Sequence, residues 1–193
     1  HEETQDYGKK IINFSDKKII KKIVSKKKFF IKKNSKENNF LKNIFNKGSV
    51  KNLVYNGVSI NTKTIKRRNL FFAIKGKNND GHKFVKEAFK KGATISIVSK
   101  KIKKISNKNI IMVKDTFVSM NNLAKVTRDR SFAKIIGITG SVGKTTLKNL
   151  ISFSLRNYGK TYHSPHSYNN KFGVPLSISN LKNNNKYGVF EIG

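Results

Sequence analysis

Gly137-Ile138-Thr139-Gly140-Ser141-Val142-Gly143-Lys144-Thr145-Thr146 is the stretch that decides the fold. The apolar run Ile135, Ile136 and Ile138 before it reads as a buried strand. After it, Leu147, Leu150, Ile151, Leu155 and Tyr158 recur at three- and four-residue steps, the period of a helix face. A strand, a glycine-rich turn and a helix form the setting of a phosphate loop. Glycines let backbone N–H groups approach phosphate oxygens, and the helix N-terminus adds partial positive charge. In that pattern Lys144 reaches the β- and γ-phosphates and the Thr145 hydroxyl sits on magnesium. The general motif wants its first glycine where Ile138 stands, and Gly137 comes one residue early. A turn that merely joins strand to helix is the alternative, but turn chemistry gives no reason for Lys and Thr directly after the second glycine.

Working outward, the chain continues through a polar turn region, His163 to Asn170, and Gly173-Val174-Pro175-Leu176, which begins another helix. It reaches Tyr187-Gly188-Val189-Phe190-Glu191-Ile192-Gly193. Glu191, an acid at the carboxyl end of an apolar strand, stands where a second magnesium contact belongs; a solvated strand-end glutamate is the alternative. His163 and His166, with neither cysteine nor a carboxylate beside them, form no metal site.

Upstream, Val58-Ser59-Ile60, Leu70 to Ile74, Thr94 to Val98 and Ile110 to Val113 read as strands. Asp80-Gly81 marks a turn. Phe84, Val85, Ala88 and Phe89 form a helix face that stops at Gly92, and Asp115 caps a helix carrying Phe117, Met120, Leu123 and Ala124. This alternation predicts an α/β domain. The expected organisation is a leading segment 1–24, a charged linker 25–39, an α/β domain 40–131, and a second unit from 132 to 193 built on the glycine loop. In the leading segment Ser15 or Asp16 caps a helix with Ile19, Ile20, Ile23 and Val24 on one face, and Phe40, Leu41, Ile44 and Phe45 repeat the pattern.

The 193 residues suffice for one ordinary domain or two small ones. A formal charge of +32 points toward nucleic acid, but Lys, Asn and Ile are abundant together and Arg is scarce. Drift toward A- and T-rich codons explains that trio, whereas polyanion binding selects Lys and Arg alone. Nucleic acid is therefore not the expected partner, although a basic surface attracts an anionic nucleotide. With no cysteine there is neither a disulfide framework nor a Cys-based zinc site. No run approaches the roughly 18 apolar residues of a membrane span. Without a signal-peptide core near the N-terminus, a cytoplasmic location is expected.

Several motifs in order resemble the Mur ligase family, and within it the branch that adds a D-alanyl-D-alanine dipeptide. The loop from Ile136 to Thr146 resembles that family's phosphate loop, early glycine included; Asn169 to Leu176 and Val189 to Gly193 resemble its N-N-x-x-G-V-P-L and V-x-E-[LIV]-G segments. Leu70 to Gly76, Asp80 to Phe84 and Ala88 to Ala93 resemble its uridine-nucleotide-binding domain. The likeness covers about residues 40–193, and residues 1–24 resemble the end of the neighbouring ligase, which adds the third peptide residue. That second likeness implies a fused pair of ligases, with a misplaced start site in the gene as the alternative.

The resemblance implies a small uridine-nucleotide-binding α/β domain, then the start of a P-loop parallel-sheet ATPase domain. It implies ATP and Mg²⁺ as cofactors, and UDP-N-acetylmuramoyl-tripeptide and D-alanyl-D-alanine as substrates joined through an acyl phosphate. Lys144 would be catalytic, with Thr139, Gly140, Ser141, Val142, Gly143, Lys144, Thr145 and Thr146 on ATP. Thr145 and Glu191 would hold the metal. Thr62, Lys63, Lys75, Gly76, Asn169 and Asn170 would meet the substrate. Asn61-Thr62-Lys63 replaces the family's usual D-[ST]-R, and lysine lacks arginine's bidentate fork. A relative that extends folates or other poly-amides, and a basic non-catalytic P-loop module binding nucleic acid, are the rival readings. The segment alone is expected to form no product.

Overall fold

Short apolar runs alternating with helical stretches produce two parallel sheets, one on each side of residue 132. A computed structural model describes residues 55–193 apart from 77, 104 and 106–108, all within the unit Lys36–Gly193. The likeness at 1–24, the linker at 25–39 and the helical patterns at Ile19 and Phe40 lie outside the described residues.

The first sheet has strands β1 (Gly57–Ser59), β2 (Asn69–Phe72), β3 (Ala93–Val98) and β4 (Ile110–Met112), all parallel and in the order β1-β2-β3-β4. Helix α1 (Val85–Lys90) lies between β2 and β3, and α2 (Thr116–Arg130) follows β4. A parallel sheet is covered on both faces, so its strands read as continuous apolar runs. Leu70, Phe71 and Phe72 show how the pleat divides such a run. Leu70 and Phe72 join Ile95, Ile97, Met120 and Leu123 under α2, while Phe71 joins Val85, Ala88 and Val98 under α1. Asp115 caps α2 as expected, its Oδ1 accepting from the Phe117 and Val118 amides at 2.7 and 2.9 Å. Gly92 adopts φ 102°, the left-handed stop expected of it.

At the turn before α1, Asp80 does more than start a 3₁₀ turn. Its Oδ1 accepts from the His82 amide at 3.0 Å and meets His82 Nδ1 at 2.6 Å, and Oδ2 accepts from Lys100 Nζ at 2.6 Å. The Ser99 amide donates to His82 Nε2 at 2.9 Å, so the buried ring carries its proton on Nδ1, toward Asp80. The Lys100 hydrogen bond, followed by those of His82, outweighs desolvation and holds the Asp80 carboxyl well below the usual carboxylate range. A pKa lowered by folding stabilises above the unfolded value of about 3.9, and that stabilisation fades as pH falls below it. Asp80→Asn should therefore lose about 1–2 kcal/mol at pH 7, Lys100 being half exposed and screened, and lose less at pH 3.5. Urea unfolding at the two pH values measures the difference, and an equal loss at both would refute the account.

The second sheet has β5 (Lys134–Ile138), β6 (Thr161–His163) and β7 (Tyr187–Glu191) in the order β5-β7-β6, again parallel. Helix α3 (Lys144–Arg156) leaves the glycine loop, and α4 (Gly173–Ser179) lies between β6 and β7. β7 is central and buried at all five positions. His163, expected in a polar turn, is instead the last residue of β6, paired with Val189. Three residues beside a glycine are too short to show a period, and pairing with β7 decides their state.

The face of α3 also differs from expectation. Leu155 is buried as predicted, but Leu147, Leu150 and Tyr158 are 39%, 52% and 36% exposed. The sheet-facing line is Lys148, Ser152 and Leu155. Lys148 stands four residues after Lys144, one turn on, and must face β7 to meet Glu191. Turning that line inward turns Leu147 and Leu150 outward.

Candidate active site

The glycine loop joins β5 to α3 and closes on itself. Gly140 and Gly143 have φ 143° and 79°, values that side chains resist. Gly143 precedes the first turn of α3 and its carbonyl accepts the Leu147 amide at 2.9 Å. Lys144 Nζ donates to the Gly140 carbonyl, folding the ammonium back across the loop. Ser141, Val142 and Thr146 are exposed along the same turn. Gly137 lies inside β5, where a Cβ would sit 3.0 Å from Ile192 Cδ1. The early glycine thus belongs to the strand, beside the end of β7, and not to the turn.

Parallel pairing of β5 with β7 puts Ile138 opposite Glu191, so the glutamate arrives at the mouth of the loop. Its carboxylate is 2% exposed and fully partnered. Thr145 Oγ1 donates to Oε2 at 2.8 Å, and Asn169 Nδ2 donates to Oε1 at 2.8 Å. Lys148 Nζ lies 3.7 Å from Oε2 and donates to the His166 carbonyl. Burial works against ionisation, yet Thr145, Asn169, Lys148 and Lys144 together outweigh it and lower the Glu191 pKa. Ser164 Oγ accepts the Glu191 amide at 3.3 Å, and Thr145 Oγ1 is 3.3 Å from Ser167 Oγ.

Thr145, Asn169 and Glu191, separated by up to 46 residues, thus converge on one carboxylate. Lys148, Ser164 and Ser167 join them without having been read from the sequence. Only Lys148 left a signal there: a lysine one turn after Lys144. Asn170 is committed elsewhere. Its Oδ1 accepts from the Phe172 and Gly173 amides at 3.0 and 2.9 Å, fixing the entry to α4. Gly173 is required there, since a Cβ would come within 2.7 Å of the Tyr168 backbone.

A cavity of about 720 Å³ opens between the two sheets' modules. Lys63 and Lys66 line one side, and Arg156, His163, His166 and Lys182 the other. Burial pushes the Tyr162 hydroxyl, on the same wall, above its ordinary pKa, so it stays neutral. Of the other residues expected to face substrate, Thr62 is buried, and its hydroxyl helps to lower the pKa of the Glu87 carboxyl after Lys91 does so. Lys75 and Gly76 lie in a turn closed by pairing with Asp80 and Asn79. None of these three lines the cavity. Among the described residues there is no group of three or more His, Cys, Asp or Glu side chains placed to hold a metal, and no helix long and apolar enough to cross a membrane.

Comparison with known proteins agrees with both modules. Residues 54–130 match the Mur ligase family catalytic domain, and residues 138–193 the Mur ligase middle domain. A UDP-N-acetylmuramoyl-tripeptide–D-alanyl-D-alanine ligase of Rickettsia prowazekii is 36% identical over 138 residues, covering 72% of this chain and 30% of that protein. The ligase of the same name from Buchnera aphidicola (subspecies Baizongia pistaciae) is 36% identical over 151 residues, covering 77% and 32%. The crystal structure of MurF ligase from Thermotoga maritima in complex with ADP superposes with a TM-score of 0.58 at 31% identity, covering 73% of this chain and 33% of that one. The chain thus spans about a third of the length of these relatives. Over residues 54–193 it belongs to the Mur ligase family.

Proposed function

We propose that the chain is the leading part of an ATP-dependent ligase of peptidoglycan-precursor synthesis that joins D-alanyl-D-alanine to UDP-N-acetylmuramoyl-tripeptide. The observation that carries this reading is the Glu191 carboxylate, delivered by β7 to the glycine loop and held there by Thr145. Neighbouring ligands of an octahedral magnesium ion, with bonds of about 2.0–2.1 Å, stand about 2.9 Å apart. Thr145 Oγ1 and Glu191 Oε2 stand 2.8 Å apart and fit that requirement. These two would hold the ion, which would supply charge neutralisation for the ATP phosphates.

In the reaction, an oxygen of the tripeptide's terminal carboxylate attacks the γ-phosphorus and ADP leaves. The amine of D-alanyl-D-alanine then attacks the acyl carbon, gives up a proton, and phosphate departs. Amides of residues 139–146 would cradle the ATP phosphates. Lys144 would move from the Gly140 carbonyl to the γ-phosphate, where its charge counts most as negative charge shifts in the transition state. Asn169 and Asn170 act by shape: one steadies Glu191, the other sets the start of α4. Lys63, with Lys66, Arg156 and Lys182, gives the cavity a cationic wall suited to a uridine diphosphate. Thr62, buried directly before Lys63, backs that loop from the inside. A cytoplasmic location follows from these substrates. The likeness of residues 1–24 extends the proposal to a fused pair of ligases.

The test uses the ligase that contains this segment, with ¹⁸O in the tripeptide's terminal carboxylate. Label should appear in the released phosphate, and ADP release should require both substrates. Product formation without label transfer would eliminate the acyl phosphate. The 193 residues by themselves should release no ADP in response to D-alanyl-D-alanine.

A further inference from the structure

Among the described residues β1 pairs with β2 alone, and its outward backbone groups need partners from elsewhere. They find them 122 residues away. The Val58 amide donates to Asn180 Oδ1 at 2.8 Å, and Asn180 Nδ2 donates to the Val58 carbonyl at 3.0 Å. A primary amide carries a donor and an acceptor side by side, as a peptide group does, so Asn180 occupies the place of a neighbouring strand. Nδ2 also donates to the Leu176 carbonyl at 2.9 Å, which ties the side chain to the end of α4. The opposite surface is shaped to receive it: a Cβ on Gly57 would lie 2.8 Å from Asn180 Oδ1. Two residues on, Lys182 Nζ donates to the Asn56 carbonyl.

The rest of the junction is apolar. Leu176 enters the cluster of Val58, Met120 and Leu123, and Phe117 meets Phe172 edge to face at 5.1 Å. Apolar contact is non-directional and permits sliding; a two-point hydrogen bond to a strand edge fixes both position and angle. We infer that Asn180 is the positioning residue that sets the orientation of the two modules, and with it the width of the cavity between them. Gly57, Val58, Asn180 and Lys182 all line that cavity, whose cationic walls stand on different modules. Releasing the latch lets Lys63 and Arg156 move apart without altering either sheet. The inference rests on this junction alone and holds whatever the cavity binds.

The chain has no cysteine, so a pair of introduced cysteines carries spin labels cleanly. Lys90→Cys on α1 and Asn149→Cys on α3 are exposed sites, one on each module. Electron double resonance on the 193-residue chain should give a narrow distance distribution, and Asn180→Ala should make it about twice as broad. Hydrogen exchange at the Val58 amide should quicken about tenfold, while the Ile97 and Val189 amides, one in each sheet, keep their protection. Gly57→Ala, whose Cβ would meet the Asn180 amide from the opposite module at 2.8 Å and the Asn69 amide of its own sheet at the same distance, should reproduce both changes. Faster Val58 exchange with an unchanged distribution would overturn the inference, reducing Asn180 to local edge protection. Loss of protection at Ile97 and Val189 in both variants would overturn it equally, by showing a role in core stability instead of orientation.

Discussion

Lys144→Ala should lower the rate of ADP formation by about 10²–10³ in the ligase that contains this segment, the loss expected on removing one preorganised group from developing charge. Its ammonium hydrogen-bonds the Gly140 carbonyl within the exposed loop, and its charge is the smallest of the contributions that lower the Glu191 pKa. Removing it leaves the fold intact, so unfolding midpoints should move little. The loss belongs in kcat, with KM for D-alanyl-D-alanine nearly constant, because the charge matters most when the γ-phosphoryl group is in transit. Single-turnover ADP release separates that effect from binding. Unchanged turnover would remove Lys144 from the mechanism.

The ease of reading Lys144 from the sequence has a physical basis. The loop's chemistry is local: strand, glycines with positive φ, lysine and threonine follow each other within ten residues. β2 and α2 were equally legible, since a buried parallel strand and a capped amphipathic helix each satisfy their constraints within their own span. What could not be read depends on distant partners. The inward line of α3 is set by Glu191, 43 positions after Lys148, and a hydrophobic period cannot anticipate a buried lysine. β6 exists only because β7 pairs with it. Thr62 looked available for a diphosphate because its burial depends on elements that come later in the chain. Asn180 left no mark for the same reason: its partner is a backbone edge 122 residues earlier. The glycine loop is legible within ten residues of sequence, whereas the walls of the cavity come from residues far apart in the chain.

Lys148→Met tests how far the site's architecture depends on that buried lysine. Its side chain is 1% exposed and that of Glu191 2%. Methionine fills a similar volume, so the lost quantity is charge. Removing one partner of a buried pair leaves the other uncompensated and costs about 3–5 kcal/mol. Thr145 and Asn169 still donate to Glu191, and Lys144 contributes charge from the loop. These place the expected loss near the lower bound, about 3 kcal/mol in urea unfolding at pH 7. The His166 carbonyl also loses its donor, so exchange in the segment 164–170 should quicken before the sheets open. Adding Glu191→Gln to Lys148→Met should recover at least about half the loss, because the amide carries no charge to strand. Strictly additive losses would show that the two residues act independently, and that Lys148 serves the His166 loop alone. A recovered double variant that remains inactive would separate the two duties of Glu191: a buried charge balanced by Lys148 for folding, and a carboxylate presented with Thr145 for the nucleotide.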